Sequence, residues 1–178
     1  MKLRYAAAVL ALAAPSSLAA QDIEIDRDQT LVENFDVAVV EEALVPFNAT
    51  ATRKVSKTGV PYVDIAFPGG LAANAEPVAC KDAAAHTGCT GLRLVAYFGL
   101  PPGKTPADIA ALVNAFNATH EATQAVYDQN GQTRLLYYVI GEFGITKTNL
   151  VVQIYNFRQS AQALSRAIFA KPAAAAAP

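Results

Sequence analysis

The chain has 178 residues, of which 53% are hydrophobic and 16% charged, with 14 Lys and Arg against 15 Asp and Glu. This composition excludes intrinsic disorder, a polybasic nucleic-acid binder and an acidic tail protein. Because the chain has only two cysteines, two histidines and one methionine, it offers few ligands for haem, iron–sulfur or zinc centres, and we expect no cofactor.

The N-terminus has the pattern of a secretory signal peptide. Lys2 and Arg4 form a short basic region, and an alanine-rich apolar run follows them. Cleavage after Ala19 suits the preference for small residues best, with Ala20 as the alternative, and removes residues 1–19. A membrane anchor is the competing interpretation, but a span needs roughly 20 apolar residues and this run is about half as long. We therefore expect a periplasmic protein without a stable membrane span after cleavage.

Residues 30–170 are predicted to form one domain, because this length suits one hydrophobic core and no linker or repeat interrupts it. Without the two basic residues of the leader, 12 basic and 15 acidic residues remain, so the mature chain is mildly acidic. Residues 171–178 are mostly alanine and show no amphipathic pattern, so a disordered tail is predicted there.

The first predicted elements are a helix and a hairpin. Apolar residues at three- and four-residue spacing indicate a helix over residues 35–47. Residues 49–56 and 60–67 are strand-like and flank Lys57-Thr58-Gly59, in which the glycine suits the left-handed position of a three-residue hairpin loop.

Two strands and a second helix are expected next. The strand near residues 77–80 is weak, whereas residues 91–98 alternate strongly. Thr105, Pro106 and Asp108 then mark the start of a helix. The threonine can accept hydrogen bonds from first-turn amides. The proline suits the first turn, because the N–H group that it lacks would have no partner within the helix. The carboxylate interacts favourably with the positive end of the helix dipole.

A second hairpin and a third helix complete the order. Residues 121–128 and 132–141 flank Asn130-Gly131, a pair typical of a type I′ turn. The last helix is predicted to begin after Thr146 or Thr148, and its apolar stripe indicates core, with a partner groove as the alternative. The order α-β-β-β-β-α-β-β-α predicts an α+β fold, with an antiparallel sheet of about five or six strands and three helices on one face.

Several of these residues resemble a known family. Phe116-Asn117, Tyr127-Asp128, Asn130-Gly131 and Gly144-Ile145-Thr146 are similar to motifs of the YbjN-domain family, and the likeness runs loosely over residues 35–169. The resemblance implies a fold like that of type III secretion chaperones. It also implies a binding or regulatory role in sensory transduction, since no enzymatic activity is established for the family.

The chain also departs from the family pattern. Phe116 stands where the family usually has tryptophan, and Leu136 and Tyr138 occupy positions that are usually acidic. Phe143 replaces the first of two adjacent glycines.

Cys80 and Cys89 enclose eight residues. In an oxidising compartment a close, even pair predicts a disulfide, and closing this loop should stabilise the fold by roughly 2 to 3 kcal/mol. The spacing excludes a C-x-x-C redox motif. His86 lies inside the loop and could join the two cysteines around a metal, but no fourth ligand is evident, so we expect no metal site.

His120 stands at the end of the second helix. A general base would need a nucleophile and an orienting group, and no nucleophile-elbow motif supplies them. A cationic histidine at a helix C-terminus is the simpler account. The sequons at Asn48 and Asn117 are attributed to chance, and no basic patch with interleaved aromatics suggests nucleic acid.

The strand that ends the second hairpin is apolar on both sides. Leu136, Tyr138 and Ile140 alternate with Leu135 and other apolar residues. A strand covered by helices on one face should instead alternate apolar with polar residues. We therefore expect the first three side chains to form a surface for self-association or for a protein partner; the alternative is that another helix of the chain covers them.

Together these features predict an exported, non-enzymatic binding, regulatory or chaperone-like protein that acts through its sheet and helix surface. The expected partner is another protein or a second copy, such as a homodimer, and not nucleic acid. A small periplasmic hydrolase or isomerase with an unrecognised active site is the alternative.

Overall fold

The computed structural model describes residue 25 and residues 27–170, so the predicted signal peptide and C-terminal tail lie outside the described residues. The helices are α1 (Val37–Leu44), continued by a 3-10 turn (Val45–Phe47), α2 (Pro106–Asn117) and α3 (Lys147–Phe169). The strands are β1 (Leu31–Val32), β2 (Thr50–Val55), β3 (Pro61–Ala66), β4 (Ala72–Asp82), β5 (Thr87–Phe98), β6 (Gln124–Tyr127), β7 (Thr133–Ile140) and β8 (Ile145–Thr146).

Six strands form one antiparallel sheet in the order β2-β3-β4-β5-β7-β6, and β1 pairs with β8 in a small second sheet. The helices pack on one face of the large sheet and share one continuous core with it. The predicted α+β class, with three helices and an antiparallel sheet, is confirmed. Among the described residues, none of the helices combines the length and apolar character that a membrane span requires.

The core lies between α3 and alternate residues of the central strands. Leu92 and Leu94 of β5 and Leu135 of β7 have no exposed surface, and the apolar stripe of α3 packs above them. Its buried members are Leu150, Ile154, Phe157, Ala161, Leu164 and Ile168. The stripe on the last helix is therefore core, as its spacing indicated.

The helix starts follow from local chemistry. Thr105 and Asp108 form a capping box at α2, in which each side chain accepts from the other residue's backbone N–H, and Pro106 occupies the first turn. Thr146 caps α3 by accepting from Asn149 N at 3.1 Å, so the helix begins at the first of the two predicted threonines.

Two expectations need correction, and one pair of strands was missed. β4 is 11 residues long, not a short strand near residues 77–80, because its alanines fit under the helices although they give no strand signal. The turn before β7 is not type I′: Gly131 alone has a positive φ there, since Asp128 Oδ1 accepts from Asn130 N and Gln132 N. The β1–β8 pair was not predicted, because two-residue strands carry no periodicity.

Candidate functional site

Strand β7 presents apolar side chains to both faces of the sheet. Leu135, Tyr137 and Val139 are buried under the helices. On the opposite side Leu136 is half-buried, whereas Tyr138 is 55% exposed and Ile140 is 75% exposed. No described element covers this second side, so the alternative of a covering helix from the same chain does not hold for the described residues.

The strand register shows which residues surround this apolar row. Leu136 lies opposite Val95 of β5, and Tyr138 lies opposite Arg93. Ile140 lies opposite Gly91. The side chain of Val78 in β4 occupies the space that a Cβ atom on Gly91 would need. We call the side of the sheet away from the helices the open face; its apolar part consists of Val78, Val95, Tyr97, Leu136, Tyr138 and Ile140.

Two cations next to the apolar row of the open face are paired with carboxylates. Arg93 donates to the Glu76 carboxylate, and this hydrogen bond is the main reason that the pKa of Arg93 is raised. Asp128 lies 3.5 Å from Arg134, measured from the Oδ2 to the Nε atom. Because Arg93 and Arg134 each have a carboxylate beside them, these two cations add little net charge next to the apolar row.

Two residues of the family motif hold α2 against β6. The Asn117 side chain donates to the Ala125 carbonyl at 2.9 Å and accepts from the Ala125 N–H at 2.8 Å. Phe116 is buried in the core, one turn before His120. Asn117 thus forms the two hydrogen bonds that a neighbouring strand would form with Ala125, and its position is explained by structure.

The other two motif residues shape the loop between β6 and β7. Asp128 accepts from two loop amides, and Gly131 has a φ of +77° that favours glycine. The structure therefore does not gather the four motif residues Phe116, Asn117, Asp128 and Gly131 around a reaction centre. It places them where they fix α2, β6 and the following turn relative to β7.

Cys80 and Cys89 are opposite each other on β4 and β5, and the structure joins them by a disulfide. His86 lies in the turn between these strands, with a φ of +52°. No cluster of three or more potential metal ligands occurs among the residues that the structure describes.

His120 lies against the core rather than in a cleft. Its ring stacks on Phe116 with a centroid separation of 3.8 Å, and its Nδ1 atom is 2.9 Å from Thr119 Oγ1. No described carboxylate lies within ion-pair distance of the ring. His120 does not line either of two clefts that other described residues form, one beside α1 and one along α3.

The smaller cleft, of about 160 Å³, lies between α1 and the start of α3, where Lys147 pairs with Glu42 at 2.6 Å. The larger groove, of about 750 Å³, lies along the second half of α3 and contains Arg158. Sequence reasoning missed this arginine, because the stripe pattern considers only apolar positions. The signal that could have found it is the charge of α3, which has three cations and no acidic residue.

Part of the chain matches a protein-family model. Residues 85–170 match the YbjN family, described as "Putative bacterial sensory transduction regulator". The resemblance seen in the sequence is therefore confirmed over these residues, which include α2, the second hairpin and α3. No curated protein sequence matches the chain.

Two of the solved structures that match share the fold at low sequence identity. YbjN, a putative transcription regulator from E. coli, is 11% identical with a TM-score of 0.57, and the match covers 76% of this chain and 91% of that chain. An uncharacterized protein from Methanothermobacter thermautotrophicus is 10% identical with a TM-score of 0.53, over 74% of this chain and 94% of that one. The heterodimeric complex ExoU-SpcU from the type III secretion system of Pseudomonas aeruginosa also matches, with 14% identity, a TM-score of 0.38, and coverage of 70% and 87%.

Proposed function

We propose that the protein is an exported, non-enzymatic binding protein of regulatory type, and that its working surface is the open face of the sheet. The observation that carries this proposal is that β7 is apolar on both sides while no described element covers the outer side. Contiguous exposed apolar surface on a soluble domain usually marks an interaction site. The description of the matching family as a regulator is in line with this role.

The chemistry of the open face suits a protein partner. Tyr138 and Tyr97 are half-exposed tyrosines on neighbouring strands, and tyrosine is enriched at the centres of protein interfaces because it combines apolar area with a polar end. Ile140 extends the same surface. Removing its apolar side chain from water would favour association.

The occupant that we propose is a second copy of this chain. A surface of one charge sign would need a partner of the opposite sign, but here Arg93–Glu76 and Arg134–Asp128 already balance each other. An apolar face is compatible with itself across a two-fold axis, where the same surface patch of both copies comes into contact. Two such sheets would pack face to face at a spacing of about 10 Å, as in β-sandwiches.

Two further features support export and a non-catalytic role. The basic and apolar N-terminal pattern favours secretion, and a disulfide persists in the oxidising compartment that secretion would provide. The stacked ring of His120 and the turn position of His86 give each histidine a structural setting.

Sedimentation velocity on the mature protein tests the proposal. We expect a dimer that dissociates on dilution, and a monomer for Leu136→Glu/Tyr138→Asp at the same concentrations. The matched control is Thr50→Glu/Thr52→Asp, which adds the same charge at the edge of the same face, outside the apolar part, and should remain dimeric. Circular dichroism establishes that each variant is folded.

A wild-type protein that is monomeric at every concentration would overturn the proposal, as would a folded double variant that still dimerises. If the double variant does not fold, Ile140→Glu replaces it, because a side chain that is 75% exposed does not contribute to the core. A dimeric Ile140→Glu variant with unchanged dissociation would then place the interface elsewhere.

A further inference from the structure

The groove along α3 is a second candidate site, separate from the apolar row of β7. It has a volume of about 750 Å³, which is within the range of small-molecule pockets. Its walls are the second half of α3, the turn between β3 and β4, and the end of β5. Gly69 and Gly70 form this turn with positive φ, and no atom lies within 4 Å of the position of an added Cβ at either glycine.

Arg158 is the unusual residue of this groove. Its side chain is only 9% exposed, and its guanidinium carbon lies 5.7 Å from the centroid of the Phe67 ring. The Nε atom is buried and has no hydrogen-bond acceptor, and no described carboxylate lies within ion-pair distance of the guanidinium. A buried arginine without a counter-ion is costly, because the protein interior replaces little of its hydration.

The surroundings of Arg158 favour a negative ligand. Among the described residues, the groove is also lined by Arg166 and by no acidic side chain, although the chain as a whole contains slightly more acidic than basic residues. Gln159, Gln162 and Ser165 supply neutral hydrogen-bond donors along the same wall. A guanidinium can bind two oxygens of a carboxylate or phosphate at once, and partial burial strengthens such a charge-assisted hydrogen bond.

Aromatic residues stand at the rim of the groove. Phe169, which is 51% exposed, lines it, and so does Tyr97, which is 45% exposed and also belongs to the open face. They offer apolar contacts for the body of a ligand whose acidic group reaches Arg158.

We propose that this groove binds a small organic anion, with Arg158 as the main ligand of its carboxylate or phosphate group and Arg166 as a second cation. The proposal does not depend on the open face being a dimer interface.

Isothermal titration calorimetry with the mature protein tests it, using benzoate, phenyl phosphate, inorganic phosphate and the neutral analogue phenol as probes. We expect at least one aromatic anion to bind, and phenol to bind at least about tenfold more weakly, since it lacks the group that Arg158 would bind. A preference for phenyl phosphate over benzoate would identify a phosphate site, and the reverse a carboxylate site. Affinity should fall with added salt.

Arg158→Gln should weaken anion binding about tenfold or more, and Arg166→Gln by a smaller factor. Gln162→Glu, which places a carboxylate in the groove, should also weaken anion binding by charge repulsion. Arg53→Gln is the matched control, because Arg53 is exposed and pairs with Glu41 outside the groove, and it should bind like wild type. If Arg158→Gln fails to fold, Arg166→Gln and Gln162→Glu decide the matter.

Three results would overturn the proposal: no binding of any of the anions, phenol binding as tightly as the anions, or unchanged anion affinity in folded variants of the groove.

Discussion

On β7, side chains of similar chemistry point to both faces of the sheet, but they meet different surroundings. Leu135 lies beneath α3 and is completely buried, whereas its neighbour Leu136 is half-buried on the open face beside Val95. The difference shows that an apolar residue in a strand can have either of two roles. It contributes to the core where helices cover it, and where they do not, side chains such as Leu136 keep part of their surface in contact with solvent.

The largest expected effect separates these two leucines directly. Leu135→Ala should lower the free energy of unfolding by about 2 to 5 kcal/mol, because it leaves a cavity under α3. Leu136→Ala, the matched variant on the other face, should cost less than about 1 kcal/mol at concentrations where the protein is monomeric. Urea unfolding of both variants measures the difference, and equal losses would contradict the distinction between the faces.

The disulfide should contribute to stability independently of the two faces of β7. Replacing Cys80 and Cys89 by alanine should cost roughly 2 to 3 kcal/mol, because the unfolded chain regains the freedom of the closed loop. Chemical denaturation measures this loss, and the oligomeric state should not change. Wild-type protein unfolded in the presence of a reductant should show the same loss; a mature protein with two titratable thiols before reduction would mean that the bond is absent.

A substitution at Asn117 tests how much the hydrogen bonds between α2 and β6 stabilise the fold. Asn117→Ala should lower the free energy of unfolding by about 1 to 2 kcal/mol, since it leaves the N–H and C=O of Ala125 without their partner. Thermal unfolding provides the measurement, with Asn114→Ala, an exposed residue of the same helix, as control. An unchanged melting temperature combined with loss of a partner would assign Asn117 to a binding site instead.

The smallest expected effect lies in the turn after β7. Phe143 has a φ of +68° and is 96% exposed, so its side chain gains little from packing and its backbone is strained. Phe143→Gly introduces the glycine that the similar family motif has at this position. It should stabilise the protein by about 0.5 to 1 kcal/mol, a net value that includes the higher conformational entropy of glycine in the unfolded chain. Phe143→Ala keeps the strain and should give no such gain; a similar gain in both variants would attribute the effect to the lost phenyl ring.

Features that depend on local chemistry could be predicted from the sequence. The capping box at Thr105 and the left-handed Gly59 in the first hairpin are determined by residues within a few positions, and both are present. The full length of β4 could not be predicted, because its alanines acquire strand character only through pairing with β3 and β5.

The candidate sites show the same limit. The two-sided apolar pattern of β7 led to Leu136, Tyr138 and Ile140, because strand periodicity assigns side chains to faces without any tertiary information. It could not show whether a helix covered the second face. Arg158 could not be recognised either, since its burial depends on Phe67, which is distant in sequence.

The pair of hydrogen bonds between Asn117 and Ala125 also occupies backbone groups at one edge of the sheet. β6 is the last strand of the sheet, and Asn117 occupies the N–H and C=O of Ala125 on the side away from β7. An incoming strand from another molecule would have to displace this amide before it could extend the sheet. At the opposite edge of the sheet, β2 carries the charged residues Arg53 and Lys54, which are unfavourable for pairing with another strand. Both edges of the sheet are therefore poor sites for strand addition between copies of the chain. Association through the open face would then stop at a dimer.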